Sequence, residues 1–516
     1  MSRDAGKVLF IGAGPGDPGL VTARGIRLLG EADVVVYDRA AEPALRWARP
    51  DAERIAAGAP AERETALDAI SLLLAEKVRE GLVVARLKWG DGFVFASGAK
   101  EALFLHEQGV PFEVVPGVTP AAGVGAYAGV PITYPGAGDA LVVLRGNEDE
   151  TDALPSVDWQ ALARIEGTIA CYAGARTVPR LLDALLDAGR PPDEPAVLIY
   201  QGTTPRQRTE AGTLRTLQAA TSDGHDEPAF IVVGKPVGLR NYLRWFDERP
   251  LFGRRIVVTR SPEQARPLVE ELEQLGAQAI EAPTFRPSPP DDPEALDRAA
   301  ASVSQFDWLV LESANAVSRF LGALLRGPRD LRALGGVAVC AIGPSTAERL
   351  LGAGLKADVV VPEFRSDNVG AHMAQIRSLD RQRVLIVRPD HLRDTLAQDL
   401  VGRGAAVTDL VAYRTAPASP DSPAAQELYR MLLDNAIDAV TFTSPTAVGR
   451  FAALIGEEQA ADLLNTTVVA AIGPVTAAAA ASLGINTPIV ASTYTVDGLL
   501  AALVEHFRAP ETAGQA

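Results

Sequence analysis

Residues 253–510 carry the same succession of motifs twice, and this repeat is the strongest constraint on the fold. FDWLVLESANAVSRF in the first copy matches IDAVTFTSPTAVGRF in the second, and VAVCAIGPSTA matches VVAAIGPVTA. Ser313 and Ser444 lie 131 residues apart, and Gly343 and Gly473 lie 130 apart. Such a period is the size of a small domain rather than of a solenoid repeat. We therefore expect two similar lobes, and a cleft between lobes commonly binds a small molecule.

The composition favours a globular protein and argues against two classes of partner. The chain has 516 residues, enough for three or four domains, and 47% of them are hydrophobic. With 49 Lys and Arg against 65 Asp and Glu, the net charge is −16, which disfavours general binding to nucleic acid. We see no signal peptide and no apolar run near the length that spans a bilayer, so we expect no membrane partner and a cytoplasmic location.

Cysteine and histidine give no sign of a disulfide or a metal site. Cys171 and Cys340 both lie in apolar, strand-like runs, so we predict two buried reduced thiols. The five histidines have no ligand spacing with one another. We therefore expect no metal.

The first half predicts a covered parallel sheet followed by a second α/β segment. Apolar runs at four places predict strands: 7–14, 34–38, 83–91 and 112–117. Helix-like segments separate these runs, as in parallel sheets with helices on both faces. A Gly- and Asp-rich stretch then separates two predicted subdomains, about 1–135 and 136–248, of a domain over 1–248. We expect the tail 511–516 to be disordered.

Four loops in the repeated half begin with hydroxyl or glycine residues and lead into helix-like segments. They are SANAV and GPSTA in the first copy, and TSPTAV and GPVTA in the second. Ser or Thr at a helix start caps the helix, and the free amides behind it can bind an anion. Capping alone would explain one such loop. Four equivalent loops favour a ligand with several carboxylates or phosphates.

The glycines of GAGPGDPG (12–19) formally match a dinucleotide-binding loop, with Asp38 after the next strand. Three features argue against that function. Asp17 would place a carboxylate where a pyrophosphate sits. Pro15 and Pro18 remove amide donors that a phosphate needs. The later sequence also offers no partner for nicotinamide chemistry.

Over residues 6–247, the chain resembles uroporphyrinogen-III C-methyltransferase, a tetrapyrrole methylase. The resemblance is carried, in order, by GAGPGDPGLVT, VVVYDR, RLKWGDGFVF, VPFEVVPGVT, YAGVPIT and QGTTPRQRTEAGTL. It implies a two-subdomain methylase fold, S-adenosylmethionine as cofactor, precorrin-2 as product and a possible homodimer through this half. It also implies a proton acceptor at Asp38, a substrate contact at Arg39, and cofactor contacts at Pro15, Gly90, Asp91, Val94, Thr119, Ala173 and Gly202.

The same segment departs from the family pattern at several positions. Trp89 replaces the first glycine of a Gly-Gly-Asp motif, and an indole there would intrude where backbone meets cofactor unless the loop moves. Further departures are Gly92 for proline, Ser97 for arginine, Lys100 for glutamate, Tyr134-Pro135 for His-Arg, Ala173 for methionine and Ala59 for a lysine. Lost arginines remove bidentate pairs with substrate carboxylates. We hypothesise that methylation is weak, altered or absent.

Residues 253–510 are similar to uroporphyrinogen-III synthase. The paired VVTR and IVRP, SANAV and TSPTAV, and GPSTA and GPVTA segments carry the similarity, together with VAYRT. It implies conversion of hydroxymethylbilane to uroporphyrinogen III without a cofactor. It also implies two flavodoxin-like parallel-sheet lobes, 253–286 with 418–510 and 288–413, which close on the substrate about a hinge.

Candidate residues of this half come from the strand ends and helix starts. Tyr413 is the candidate acid for a leaving hydroxyl, although a packed strand-end tyrosine would look the same. The residues expected to hold substrate carboxylates are Ser313, Ser345, Thr346, Thr443, Ser444 and Thr476. Arg260 and Arg388 occupy matching strand ends, where we favour surface ion pairs over a contribution to binding.

Three functions remain open from the sequence. The chain is a bifunctional enzyme, a synthase whose methylase half serves as a scaffold or cofactor-binding module, or a two-lobed tetrapyrrole-binding protein without catalysis. The departures at Trp89, Ser97 and Ala173 separate the first two. An assay with hydroxymethylbilane separates the third.

Overall fold

The computed structural model describes residues 6–57, 63–146, 154–221, 227–361, 366–390 and 395–508. The chain forms two compact units, the first containing Met1–Arg254 and the second most of Arg255–Ala509. Ala59 and the predicted tail 511–516 lie outside the described residues. Among the described residues, every helix is too short or too polar to span a bilayer.

The first unit begins with a five-stranded parallel sheet. Its strands are β1 (Val8–Gly12), β2 (Val34–Tyr37), β3 (Glu53–Ala56), β4 (Val84–Lys88) and β5 (Phe112–Val115), in the order β3-β2-β4-β1-β5. Its helices are α1 (Ala23–Leu29), α2 (Arg63–Arg79), α3 (Gly98–Glu107) and α4 (Pro120–Tyr127). Leu9 and Ile11 pack into one core, whereas Val8 and Phe10 pack into another. The predicted covered parallel sheet is thus confirmed, because alternate side chains of a strand point to opposite faces.

A second, mixed sheet completes this unit. Its strands are β6 (Ala140–Gly146), β7 (Gly167–Ala173), β8 (Pro195–Tyr200), β9 (Arg208–Thr213) and β10 (Ala229–Val233), in the order β6-β7-β10-β8-β9. Its helices are α5 (Trp159–Ala163), α6 (Thr177–Asp187), α7 (Leu214–Thr221) and α8 (Arg240–Leu243). Only β6 and β7 pair in parallel, and the other pairs are antiparallel. The predicted buried thiol of Cys171 lies in β7 and is confirmed.

The second unit contains two sheets. In chain order its strands are β11 (Arg255–Val258), β12 (Gln278–Glu281), β13 (Phe285–Ser288), β14 (Trp308–Leu311), β15 (Ala338–Ile342), β16 (Val359–Val361), β17 (Arg383–Pro389), β18 (Ala406–Pro417), β19 (Ala439–Phe442), β20 (Val468–Ala471) and β21 (Ile489–Val490). Their orders are β12-β11-β19-β20-β21 and β13-β18-β17-β14-β15-β16. Each sheet therefore combines strands from both copies of the repeat.

Helices connect these strands along the chain. They are α9 (Pro262–Gln274), α10 (Pro293–Ala301), α11 (Ala314–Arg326), α12 (Pro344–Gly352), α13 (Ser366–Ile376), α14 (Thr395–Gly402), α15 (Pro423–Leu433), α16 (Pro445–Ile455), α17 (Glu457–Leu464), α18 (Pro474–Ala481) and α19 (Val496–Arg508). The six-stranded sheet is parallel except at β13, which runs antiparallel to β18. The parallel-sheet prediction holds with that edge strand added. Cys340 is buried in β15 and reduced, as predicted.

Candidate active sites in the two halves

Three glycine loops of the first unit meet at the carboxyl ends of β1, β4 and β5. Gly14 and Gly90 exchange two backbone hydrogen bonds, of 3.1 and 2.9 Å, and both have positive φ. A Cβ at Gly117 would lie 2.2 Å from the carbonyl oxygen of Gly90 and 2.7 Å from Cα of Gly12. Only glycine permits this approach of backbones. The loops therefore pack closely together at the edge where parallel sheets commonly bind ligands.

Two aspartates of these loops hold the loops themselves. Asp17 accepts hydrogen bonds from the amide of Gly19 at 2.7 Å and the phenol of Tyr127 at 2.7 Å. Asp91 accepts from the amides of Phe93 at 2.8 Å and Gly117 at 2.9 Å. The carboxylate of Asp17 thus accepts the hydrogen bond of the Gly19 amide, a loop donor that a pyrophosphate would use. This arrangement agrees with the sequence argument against a dinucleotide.

Trp89 joins the loop after β4 to the loop after β1 and to the second sheet. Its indole nitrogen donates to the carbonyl oxygen of Pro15 at 2.9 Å. Its ring meets the ring of Tyr172 edge-on, with centroids 6.2 Å apart. The phenol of Tyr172 in turn lies 2.8 Å from the hydroxyl of Thr119. The indole therefore contacts Pro15, one predicted cofactor contact, and Tyr172, whose phenol bonds to another, Thr119.

A buried group of charges lies under Asp38. Arg86 contacts Asp38 at 2.7 Å and Glu101 at 2.8 Å, while Lys88 contacts Glu101 at 3.1 Å and Asp38 at 3.7 Å. Lys88 also donates to the hydroxyl of Ser97 at 2.6 Å, and that hydroxyl donates to Glu101 at 2.5 Å. Two cations are thus balanced by two carboxylates. Neither cation is left over for a substrate carboxylate.

Burial and pairing shift the pKa values within this group in opposite directions. Burial, followed by the charge of Arg86, lowers the pKa of Lys88. Burial alone would raise the pKa of Glu101, but Arg86 and Lys88 bring it down to about 2. Glu101 is therefore a permanent anion at neutral pH.

In the second unit, matched serines cap the helices that begin the two copies of one motif. The hydroxyl of Ser313 accepts from the amide of Ala316 at 3.0 Å, and that of Ser444 accepts from Ala447 at 3.2 Å. Their backbone angles also agree, with φ of −161° and −157°. The capping prediction is confirmed for both residues. First-turn amides that such a cap leaves unpaired are the groups that can bind an anion.

Tyr413 lies beside the first of these caps. Its side chain is only 4% exposed, and its phenolic oxygen lies 3.1 Å from the hydroxyl of Ser313. The guanidinium of Arg319 lies over the same ring at 5.4 Å. The arrangement brings a candidate proton donor to the start of α11, although Tyr413 follows Ser313 by 100 residues.

Glu312 adds a buried carboxyl to the same strand ends. It is 8% exposed, and its Oε2 has no hydrogen-bond partner among the described residues. Burial raises the pKa of Glu312 to about 7, with Arg388 opposing the rise and Asp409 adding to it. The carboxyl is therefore partly protonated near neutral pH.

The two matched arginines differ from the surface ion pairs that we expected. Arg388 is 9% exposed and forms a bidentate pair with Asp409, at 2.7 and 2.9 Å. Arg260 is half-buried, and its Nε has no partner among the described residues. The expectation of surface ion pairs is wrong for Arg388, because its pair with Asp409 is buried, and Arg260 forms no ion pair with the described residues.

Comparisons with known proteins identify both halves. A profile of the tetrapyrrole (corrin/porphyrin) methylases matches residues 7–218, and one of uroporphyrinogen-III synthase HemD matches residues 266–501. The porphyrin biosynthesis protein HemD of Ruminiclostridium josui is 33% identical over 507 residues, covering 97% of this chain and 98% of that protein. The chain belongs to this family of fused methylase–synthase proteins. Both resemblances drawn from the sequence are confirmed, as is the assignment to enzymes.

Two further matches concern the methylase half. The uroporphyrinogen-III C-methyltransferase of Bacillus subtilis is 36% identical over 338 residues, covering 65% of this chain and 69% of that protein. A crystal structure of uroporphyrin-III C-methyltransferase from Thermus thermophilus, complexed with S-adenyl homocysteine, is 34% identical. It covers 45% of this chain and 93% of its own, with a TM-score of 0.39.

Most of the predicted cofactor contacts of the methylase half lie at the carboxyl ends of the strands of its first sheet. Pro15, Gly90, Asp91 and Thr119 follow the carboxyl ends of β1, β4 and β5, as described above. Ala173 is buried at the end of β7, next to Tyr172. A Cβ at Gly202 would lie 2.5 Å from the side chain of Val124, so this glycine is required by packing. By contrast, four predicted or substituted positions have exposed side chains: Arg39, Val94, Lys100 and Tyr134.

The synthase half exposes some predicted substrate contacts and buries others. Ser345 is exposed, and Thr443 is partly buried like Ser444. Thr346 and Thr476 are only 1% and 3% exposed, so their hydroxyls are buried rather than presented to a ligand.

Several functional candidates escaped the sequence analysis. Arg86 and Lys88 interrupt the apolar run of β4, and charge inside such a run is a usable signal of a buried pair. Glu312 stands where the second copy has Thr443, so the repeat itself marked it as unusual. Among the described residues, no group of His, Cys, Asp and Glu is placed to hold a metal ion.

Proposed function

We propose that this chain makes uroporphyrinogen III and then methylates it. The synthase half cyclises hydroxymethylbilane with inversion of ring D. The methylase half transfers methyl groups from S-adenosylmethionine and gives precorrin-2. The observation that carries the first step is the hydroxyl pair of Ser313 and Tyr413, 3.1 Å apart at the start of α11. It sets a proton donor beside amides that favour carboxylates.

Cyclisation requires a hydroxyl to leave without the resulting cation being trapped. Tyr413 donates a hydrogen bond to the leaving hydroxyl, and a neutral phenol is a poor nucleophile toward the cation. The thiol of Cys340 is buried in β15, in a different core from Tyr413, and burial raises its pKa to about 12, so it stays protonated. Closure through a spiro intermediate then inverts ring D with loss of water.

Backbone amides bind the carboxylates of the substrate in this proposal. They lie at the starts of α11, α12, α16 and α18. Ser313 and Ser444 each satisfy one amide of their own helix. Because α12, α16 and α18 begin with proline, which has no amide hydrogen, the amides proposed for the ligand are those that follow the prolines. Because the donors are main-chain groups, most single side-chain deletions reduce binding only slightly.

The methylase half fits S-adenosylmethionine in its backbone loops. The close approach of Gly14, Gly90 and Gly117 holds the three loops together at the strand ends, and Thr119 follows the last of them in sequence. When bound, the cofactor supplies an electrophilic methyl group. Asp38 would accept the proton that the macrocycle releases from another carbon once a pyrrole carbon has been methylated. Arg86, Lys88 and the amide of Trp89 fix the position of its carboxylate.

One assay separates the steps. The purified chain is incubated with hydroxymethylbilane, with and without S-adenosylmethionine, and the isomers and methylated products are separated by chromatography. We expect isomer III without the cofactor and precorrin-2 with it. Only spontaneously formed isomer I would contradict the synthase assignment.

Trp89 favours a second candidate, in which the methylase half is a scaffold or cofactor-binding module. Its indole contacts Pro15 and Tyr172, both at the loops assigned to the cofactor. Calorimetry with S-adenosylmethionine, combined with the methylation assay, distinguishes the two. Binding without turnover supports the module, and normal turnover to precorrin-2 excludes it.

We also propose that the chain forms a homodimer through its methylase half. Exposed apolar side chains cluster in sequence around the edge strand β5 and the loop after β4: Phe93, Val94, Phe95, Leu103, Phe112 and Val114. Exposed apolar groups of this kind commonly mark protein interfaces. Sedimentation velocity of the chain and of Val114→Lys tests this, with the variant expected to be monomeric.

A further inference from the structure

We propose that Arg260 is a carboxylate-binding residue of the synthase half. The inference rests on the proposed function, because it assumes a ligand with several carboxylates. Arg260 follows β11 in the run IVVTR, and Arg388 ends the matching run VLIVR in β17. The repeat therefore supplies an internal comparison of one arginine in two settings.

In the second copy the arginine already has its anion. Arg388 is buried, and its Nε and Nη2 bind the two carboxylate oxygens of Asp409 at 2.7 and 2.9 Å. Its Nη1 also donates to the carbonyl oxygen of Pro389 at 3.3 Å. A bidentate pair of this kind satisfies most of a guanidinium. The guanidinium of Arg388 is thus bonded within the protein and does not need a carboxylate from a ligand.

In the first copy the corresponding group lacks a counter-ion. The Nε of Arg260 is enclosed without a hydrogen-bond partner, and no carboxylate of the described residues forms an ion pair with this side chain. Burial lowers the pKa of Arg260, and no opposing interaction raises it. The residue as a whole is only half-buried, so part of it remains accessible from outside the core. A charge left in this state is unfavourable for folding alone.

The neighbouring residue is unsatisfied as well. Ser261 is 1% exposed, and its hydroxyl has no partner among the described residues. The hydroxyl of Thr259, by contrast, donates to the carbonyl oxygen of Thr441 at 2.8 Å. Two consecutive polar side chains without partners are uncommon in a native interior. Such local departures from good packing are expected where a protein binds something.

The position suits an anion in a second respect. The amides of Gln264 and Ala265 bond to the carbonyl oxygen of Ser261, so the 13-residue helix α9 begins within two residues of Arg260 in the chain. Helix starts attract negative charge. An arginine at such a point takes a carboxylate in bidentate geometry. An acetate or propionate side chain of the tetrapyrrole is the ligand group that fits.

The matched arginines give a direct test with Arg260→Gln and Arg388→Gln. Thermal unfolding without ligand is compared with KM and kcat for hydroxymethylbilane. We expect Arg260→Gln to raise KM at least about tenfold, with kcat changed less than about twofold and the melting temperature unchanged or higher. Arg388→Gln should melt at a lower temperature, because Asp409 loses its partner.

Further measurements distinguish a failure of the Arg260 inference from a failure of the synthase assignment. Arg260→Lys should recover part of the affinity, and Arg260→Gln should show a weaker dependence of KM on salt. Binding of uroporphyrin III, an octacarboxylate, is measured by fluorescence quenching and tests the site even without turnover. Unchanged KM and unchanged uroporphyrin binding in Arg260→Gln would overturn the inference. If the same variant still formed isomer III, the synthase assignment would nevertheless stand. A lower melting temperature for Arg260→Gln would overturn it too, in favour of a structural role.

Discussion

The hydroxyls of Ser313 and Tyr413 lie 3.1 Å apart and join the turn after β14 to the interior of β18. Because the oxygen of Ser313 also accepts from the amide of Ala316, one hydroxyl group connects the phenol to the first turn of α11. The proton donor proposed for the leaving group is therefore fixed relative to the amides proposed for a substrate carboxylate. Positioning of this kind supplies a large part of the lowering of the activation barrier in many enzymes.

Tyr413→Phe should slow formation of isomer III more than any other single change in this half. The variant keeps the buried ring but loses the proton donor, so we expect kcat to fall by about tenfold or more with KM nearly constant. Residual activity should remain, because the amides still hold the substrate. Tyr429→Phe is the control, since its phenol lies in α15 and bonds to Gln459 at 2.5 Å. Equal rates in wild type and Tyr413→Phe would remove Tyr413 from the mechanism.

Ser313→Ala and Ser444→Ala should have similar effects on stability and different effects on rate. Each loses one N-cap bond, which corresponds to about 1 kcal/mol of the free energy of unfolding. Of these two serines, only Ser313 contacts Tyr413, so only Ser313→Ala should also lower kcat for cyclisation. Chemical denaturation and initial rates check both statements. A larger rate loss for Ser444→Ala would show that the phenol contact is unimportant.

Trp89→Gly should bind S-adenosylhomocysteine more tightly than the wild type. The substitution removes an indole that is bonded to Pro15 and packed on Tyr172, among the expected cofactor contacts. Calorimetry measures the affinity. Trp89→Phe separates the two contributions, because it keeps an aromatic ring and removes only the 2.9 Å bond. Weaker binding by Trp89→Gly would mean that the indole itself contacts the cofactor.

The sequence predicted those elements whose burial is visible in local pattern. Apolar runs identified β1, β2, β4 and β5, but β3 escaped because ERIA, at the sheet edge, is largely exposed and polar. The repeat alone suggested one lobe per copy, whereas each sheet combines strands of both copies. That exchange depends on pairing between distant segments, which a period does not encode.

The candidate sites were predictable to the extent that they use local motifs. Serine caps follow from residue type, and both were found where expected. The contact between Ser313 and Tyr413 and the pair of Arg388 with Asp409 depend on tertiary packing. No local pattern distinguishes Arg388 from Arg260, because their strands read alike. Their difference arises from which carboxylate the fold brings near.

Glu101→Gln should destabilise the methylase half strongly and alter its acid sensitivity. Glu101 is fully buried between Arg86 and Lys88, so the variant leaves two buried cations with one carboxylate. Loss of one partner of such a pair typically lowers the free energy of unfolding by about 3–5 kcal/mol. The pKa of Glu101 falls from 4.5 to about 2 on folding, so its contribution is present above pH 4.5 and is lost as pH falls toward 2. Thermal unfolding against pH measures this, with the exposed Glu107→Gln as control. Equal melting temperatures for both variants would contradict the prediction.

Glu312 should stabilise the synthase half more at low pH than at high pH, the opposite of a salt-bridged carboxylate, and Glu312→Gln should remove this contribution. The pKa of Glu312 is raised from 4.5 to about 7, so the folded state binds its proton more tightly than the unfolded state does. The stability that this group contributes is fully present below pH 4.5 and is lost as pH rises through 7. The loss amounts to roughly 3 kcal/mol at most, at about 1.4 kcal/mol for each unit of pKa. The difference in unfolding free energy, wild type minus Glu312→Gln, should therefore fall between pH 5 and pH 8. Glu348→Gln, at an exposed position of α12, should show no such trend. A difference that rose with pH would mean that Arg388, rather than burial, controls the carboxyl.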